Sequence, residues 1–482
     1  MKTSIKISFL ILNMIMLSAF AADSRFQLPE YERVELKNGL TLFLMEQHEV
    51  PLISINASIK AGAKNDRDQQ GIAGLTIDGL KMGINGYSKQ ALEDLFDFHG
   101  ASLSADISQD AAIFSLSLAA KDLDILLPVF LEMLQKPLFP EQDTSKMMDL
   151  HLQKLEQSLE RPKQIVHRYF YKALFGNHPY GNPVEGNKQS IENISAADLK
   201  NFHGQYYQPD QIAISLAGDF DAKKMKRKLS KLIKNWKSQS SNKANVENML
   251  KGKTKISARG RATSLKEDSR IIVVNKDDAR ETNIRIGGLG IPRSNPDYVE
   301  LKVLNTILGG RFTSWLMSSL RTDAGLTYGA GSYFRPLEEE GAFYISTFTN
   351  KDTTFETIDL TLKTYQRMLD GEIDQEILSS AKNYVVGLFP PKFEKTSDLS
   401  AFLGDMFIYD FDESYVNTFE EKVANLSLSR AKELAEKYFP NDNLVFVLIG
   451  REKLITEEAK KYGTVFSIDI TDPLPLNFET NR

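Results

Sequence analysis

The chain has no cysteine in 482 residues. That excludes disulfides, thiol nucleophiles, thiolate metal sites and a lipidated N-terminal cysteine, so stability must come from core packing. Histidine is scarce as well: six residues, at 48, 99, 151, 167, 178 and 203, all in the first half. None forms an H-x-x-x-H or H-x-x-E-H pair, and His151 and Glu156, five apart, do not share a helical face, so each histidine reads as structural or solvated. No apolar run reaches the ~20 residues that a membrane-spanning helix needs. Gly309 and Gly310 in "LNTILGGRFTSWL" lack both P-loop and G-x-G-x-x-G spacing, which leaves a turn before a helix rather than a phosphate cradle. With 59 basic against 64 acidic residues, there is no positive excess to suit nucleic acid.

What is present begins with a leader. Lys2 and Lys6, the apolar run "ISFLILNMIMLSAF" and then Ala19-Phe20-Ala21 read as a signal peptide over residues 1–21, cleaved after Ala21, and predict a periplasmic protein without a membrane span. Losing Lys2 and Lys6 leaves 57 basic and 64 acidic residues, a net charge of −7. The remainder, at 42% apolar and 26% charged overall, has the length and mixture of two packed domains.

Those two domains resemble each other. "ISAADLKNFHGQYYQPDQIAISLAG" (194–218) lies without a gap on "LSLSRAKELAEKYFPNDNLVFVLIG" (426–450), pairing Ser195 with Ser427, Tyr206 with Tyr438 and Gly218 with Gly450. Each copy reads as a capped helix, a proline turn and an apolar strand, and the constant register argues for duplication. The polar, basic stretch 238–268 reads as the linker between an N-terminal domain (22–237) and a C-terminal domain (269–482).

Within the first domain, "LTLFLMEQHEVPLISINASIK" alternates as a strand pair, Ser88 to Gly100 bounds a capped helix, and "ASLSADI" and "AAIFSLSL" read as antiparallel strands. Leu123–Leu134 is an apolar helix. In the second domain Phe355, Ile358, Leu362, Tyr365 and Leu369 share one helical face that stops at Gly371. The fold class is α+β: two homologous halves, each a mixed, mainly antiparallel sheet with helices packed on one side. Lys223–Lys237 is a basic amphipathic helix with Met225, Leu229, Ile233 and Trp236 opposite its lysines, expected as a solvated outer face.

The chemistry sits in two segments. "LRTDAGLTYGAGSYF" (320–334) carries Arg321 and Tyr328 across a helix-to-strand turn at Gly325. "GIAGLTIDGLKMG" (71–83) and "ALFGNHPYGNPVEGNKQSIENISAADLKNFHGQYYQPDQIAISLAGDFD" (173–221) complete a pattern that resembles the pitrilysin/insulinase family of zinc metallopeptidases over nearly the whole mature chain. In that family H-x-x-E-H supplies two zinc ligands and a general base, and a later glutamate completes the site. The resemblance puts Gly74 and Asp78 where the histidines belong, Ile77 where the base belongs, and Glu156 in the region of the distal ligand. No metal or other cofactor is therefore expected on this chain.

Arg321 and Tyr328 match the family's substrate-binding element, in which the arginine holds substrate carbonyls and the tyrosine stabilises the oxyanion. Some bacterial members divide these elements between two short subunits. The resemblance thus implies a non-catalytic subunit of an exported heterodimeric zinc peptidase acting on peptides. Such a subunit is inactive alone and supplies Arg321 and Tyr328 to a zinc site on an H-x-x-E-H partner. The alternative is a proteolytically inactive peptide-binding or scaffold protein of the same fold.

Overall fold

The computed structural model describes residues 25–237 and 269–474. The leader and the linker expected at 238–268 lie outside them. In the first half the strands are β1 (Glu32–Glu35), β2 (Thr41–Glu46), β3 (Leu52–Ile59), a short ribbon of β4 (Gly83–Ile84) and β5 (Tyr87–Ser88), then β6 (Ser102–Ile107), β7 (Ala112–Ala119) and β8 (Ile212–Gly218). All but the ribbon form one sheet in the order β1-β2-β8-β3-β7-β6, antiparallel except between β2 and β8. The second half holds β9 (Arg270–Asn275), β10 (Glu281–Leu289), β11 (Ala330–Arg335), β12 (Ala342–Asn350), β13 (Val445–Gly450) and β14 (Thr464–Asp469), in the order β11-β12-β10-β13-β9-β14.

β2 and β3, expected as a pair, do not touch through hydrogen bonds, because β8 runs between them. The reason is in β8 itself: "IAISLAG" is buried at every residue, which suits a central strand with both faces covered. β13 takes the same place, antiparallel to β10 and parallel to β9. The helices that lead into these strands, Ala196–Tyr206 and Leu428–Tyr438, start and stop at equivalent positions of the repeat. Ser195 accepts from Asp198 N and Ser427 from Arg430 N, so the two helices are capped alike. The halves differ at one edge: β1 is antiparallel to β2, whereas β14 is parallel to β9.

Alternation along the strands gives each sheet two faces that need cover. On β9, Ile271 and Val273 join Ile358, Leu362 and Tyr462 of the second half's own helices. Ile272 and Val274 point the other way, and with Val445, Val447 and Ile449 they pack against Ile165, Val166, Tyr169 and Phe170. Those four belong to helix Pro162–Phe175 of the first half. The trade is returned: helix Thr396–Tyr409 of the second half lies across β3 and β8. Its Leu399, Leu403 and Met406 share a core with Phe43, Met45, Ala213 and Ala217. Beyond its own layer of helices, each sheet is thus covered by one helix of the other half.

The first sheet's shared face is polar near β3. Ser58 Oγ donates to Asn56 Oδ1 (2.7 Å), Asn56 Nδ2 to Ser115 Oγ (3.2 Å), and Ser54 bonds Thr396 of the crossing helix (2.9 Å). Gly404 lets that helix approach: a Cβ there would collide with Ser58 Oγ and lie 3.1 Å from Asn56 Oδ1. The basic helix runs Ala222–Leu232, with Met225, Leu229 and Ile233 buried and Lys226 paired with Glu32 at 2.6 Å, so its lysines face solvent.

Gly404→Val should lower stability by roughly 1–3 kcal/mol through overpacking at this crossing. Gly387→Ala, at a helix end with nothing within 4 Å, should be neutral or mildly stabilising. Chemical denaturation of both variants checks the pair; equal midpoints would mean that the crossing is not tight.

Candidate functional site

The degenerate motif lies on helix Ile72–Gly79, entered through Gly71 at φ +93°. Asp66 fastens its start, accepting from Gly71 N (2.7 Å) and Ala73 N (3.0 Å). Burial still pushes the Asp66 carboxyl up to about 7, against the pull of those two N–H groups. Gly74 offers no donor atom, Ile77 is 1% exposed within the first half's core, and Asp78 pairs with Lys81 at 2.9 Å. This donor set does not fit a zinc ion: a ligand is missing and the position of the base is filled by core packing. Glu156 is exposed and paired with Lys188 at 2.9 Å. Among the described residues no group of three or more His, Asp or Glu is placed to hold a metal.

Every histidine has a structural partner. His48 meets Asp219 (2.7 Å), His99 meets Asp122 (2.9 Å), and His151 donates to the Glu185 carbonyl (2.7 Å). His167 Nε2 lies 2.9 Å from Glu185 Oε1, and Arg168 lies 3.7 Å from Oε2. Burial opposes ionisation of Glu185, but the His167 hydrogen bond and the nearby His167 and Arg168 charges outweigh it and hold the carboxyl down at about 2. His178 is buried; its Nδ1 accepts from Tyr180 N and its Nε2 is 3.5 Å from Glu339 of the other half. His203 donates to the Leu134 carbonyl at 2.9 Å, and burial lowers its imidazole to about 4. Glu185 had no signal in the sequence.

Arg321 lies in a π-helix, Met317–Asp323, where an α-helix was the simple expectation. The wider coil is a local device often found at functional positions. Gly325, at φ +65°, ends it. Arg321 is exposed with its guanidinium 4.9 Å from the centroid of the exposed Phe312 ring. Tyr328 is 82% exposed. Among the described residues neither side chain makes a hydrogen bond or an ion pair.

The backbone under Tyr328 is pinned on both sides. Thr349 Oγ1 donates to Leu326 O (2.8 Å), Thr347 Oγ1 to Gly329 O (3.0 Å), and Gly329 N donates to Thr327 Oγ1 (3.1 Å). The phenol therefore projects from a fixed base. Downstream, the β11–β12 turn docks on the first half: Glu338 N donates to the fully buried Asp110 (2.9 Å), which Lys64 also meets at 3.1 Å. Tyr180 Oη donates to Asp110 at 2.6 Å. Lys64 begins at the short turn Ala63–Asn65 that leads to Asp66 and the motif helix. The strand that follows Tyr328 is thus tied to the loop before the degenerate motif.

Two outcomes follow from this geometry. Ile77→Glu, which would return a carboxylate to the base position, buries an unpaired charge and should cost several kcal/mol, read as a large fall in the denaturation midpoint; a wild-type midpoint would mean that the position is open. His203 is neutral in the folded chain and protonates from about pH 6.5 when unfolded. Its contribution is therefore complete above 6.5 and is lost as pH falls toward 4, by up to ~3 kcal/mol. His203→Gln should remove that slope, so that the variant gains on the wild type between pH 6.5 and 4; parallel melting profiles would contradict it.

Comparison with known proteins gives the architecture a family. Residues 43–188 match the model described as Insulinase (Peptidase family M16), and residues 193–385 match the Peptidase M16 inactive domain. The chain is 24% identical over 417 residues to the uncharacterized zinc protease YmxG of Bacillus subtilis, covering 85% of this chain and 96% of that one. It is 22% identical over 412 residues to the non-peptidase homolog YmxG of Helicobacter pylori, covering 85% and 91%. The crystal structure of a peptidase M16 inactive domain from Pseudomonas fluorescens superposes with a TM-score of 0.78 at 25% identity, covering 88% of this chain and 98% of that one. With two M16 halves and an M16 fold, the chain belongs to the insulinase family, peptidase family M16.

Proposed function

We propose that this chain is the substrate-binding subunit of an exported, periplasmic heterodimeric zinc peptidase, supplying Arg321 and Tyr328 to the zinc site of an H-x-x-E-H partner that degrades peptides. The observation that carries the reading is the contrast between the two segments. The motif helix has Ile77 built into the core, while Arg321 and Tyr328 stand exposed and unbonded on a pinned base. A cationic and a neutral donor held this way can act on a substrate's carbonyl oxygens without first breaking hydrogen bonds of their own. Zinc belongs to the partner in this reading, and this chain supplies donors only. The name "non-peptidase homolog" carried by one relative agrees with a subunit that does not cleave alone.

The test is purification from the native source followed by kinetics of the complex. A family member with an intact H-x-x-E-H should co-elute in near-equal amount. In that complex Tyr328→Phe should reduce kcat/KM by about 10²–10³, the usual effect of losing one oxyanion donor. Arg321→Ala should also weaken turnover, chiefly through KM. Neither change should move the melting midpoint of the isolated chain. Full proteolysis by an Arg321→Ala, Tyr328→Phe complex would remove this reading in favour of an inactive peptide-binding or scaffold protein.

A further inference from the structure

We infer that a pocket in the second half, between helices Tyr298–Leu308 and Gln375–Gly387, binds an anionic group, carboxylate or phosphate, carried on an aromatic or apolar body. The pocket has a volume of about 240 Å³, room for roughly eight waters. Two lysines line it, Lys302 and Lys392, beside the rings of Tyr298, Phe334, Tyr384 and Phe419, and among the described residues no acidic one does.

Among the described residues neither lysine pairs with a carboxylate, unlike several other lysines of this protein. Lys276 and Lys461 each meet two carboxylates. Lys302, half-buried, donates instead to the Tyr415 hydroxyl (2.6 Å), with its ammonium 4.7 Å from the centroid of the Tyr298 ring. Lys392 is exposed at the rim, and among the described residues its ammonium has no hydrogen-bond or ion-pair partner. Burial holds both ammoniums below the usual lysine range, and the Lys302 charge lowers Lys392 further. Beyond Gly310 in the wall, Arg311 bonds the Ser380 hydroxyl (2.9 Å) and leaves its buried Nε without a partner.

Like charges gathered in a partly dry pocket repel one another, and cation–π contacts offset only part of the desolvation. An anion placed between the two ammoniums would reverse the sign of the interaction and gain charge-assisted hydrogen bonds. The surrounding rings and the Val385 and Leu388 side chains supply the apolar contact for whatever carries the charge. The pocket is separate from the Arg321–Tyr328 edge, since neither residue lines it.

The experiment is a thermal-denaturation titration of the full chain with three probes: 3-phenylpropanoate, phenyl phosphate and the neutral 3-phenylpropanamide. The expected result is a saturable rise in melting midpoint with at least one anion and none with the amide. A response to the carboxylate alone or to the phosphate alone names the source. Lys392→Gln, at an exposed and unbonded position, should weaken the anion's affinity about tenfold or more, as for loss of one charge-assisted contact. Lys302→Met should do the same while leaving the unliganded protein no less stable; Lys392→Gln carries the test if Lys302→Met does not fold. No saturable response to either anion, an equal response to the amide, or an unchanged affinity in Lys392→Gln would overturn the proposal.

Discussion

Neither sheet can bury its second face without the other half of the chain. Ile272, Val274, Val445, Val447 and Ile449 form an apolar face that helix Pro162–Phe175 of the first half covers, with Ile470 joining the same core. Burying an aliphatic side chain is worth about 1.5–3 kcal/mol, so exposing these five would cost about as much as a domain's whole margin of stability. Helix Thr396–Tyr409 repays the debt on β3 and β8. The exchange makes the two halves one folding unit, and it fixes the edge that carries Tyr328 relative to the helix that carries Ile77.

The two crossings use different chemistry on the same topology. In the second sheet the shared face is aliphatic and aromatic, with the buried Arg285 guanidinium 4.1 Å from the centroid of the Tyr344 ring as its polar element. In the first sheet a network through Ser54, Asn56, Ser58 and Ser115 lies under the helix, and Gly404 brings the backbone close. The Ser54–Thr396 bond spans the crossing and would be lost if the helix slipped, whereas the bonds of Asn56 to Ser58 and Ser115 stay within the sheet. Both crossings therefore bury apolar side chains, and the first adds a network of side-chain hydrogen bonds beneath its helix.

Much of this was legible from local signals. The repeat could be read because a serine cap, a proline turn and a glycine-ended strand leave marks within 25 residues, and the structure places both copies alike. The insertion of β8 between β2 and β3 could not be read, since alternation shows that a strand has an apolar face but not which strand lies beside it. The helix exchange was hidden for the same reason. At the candidate site, Arg321, Tyr328 and the Gly325 stop were visible. The Thr347 and Thr349 hydrogen bonds were not, because they come from β12, some 20 residues further along, and the π-helix left no mark in the sequence.

Fold stability explains Ile77 but not Tyr328. Ile77 sits in the core with Leu75, Leu80 and Leu199, so an apolar residue there contributes to folding whatever the chain's function. Tyr328 is 82% exposed, and Arg321 is exposed beside the exposed Phe312 ring. Side chains in such positions contribute within about 0.5 kcal/mol to stability. Yet the backbone on either side of Tyr328, at Leu326 and Gly329, is fastened by three threonines after a glycine stop, an ordering that costs conformational entropy at each residue held. Ordered backbone presenting side chains that do not stabilise the fold is the arrangement expected where those side chains meet something outside the chain. By the same reasoning helix Ile72–Gly79, with Ile77 in the core and Asp78 paired to Lys81, contributes to the fold itself.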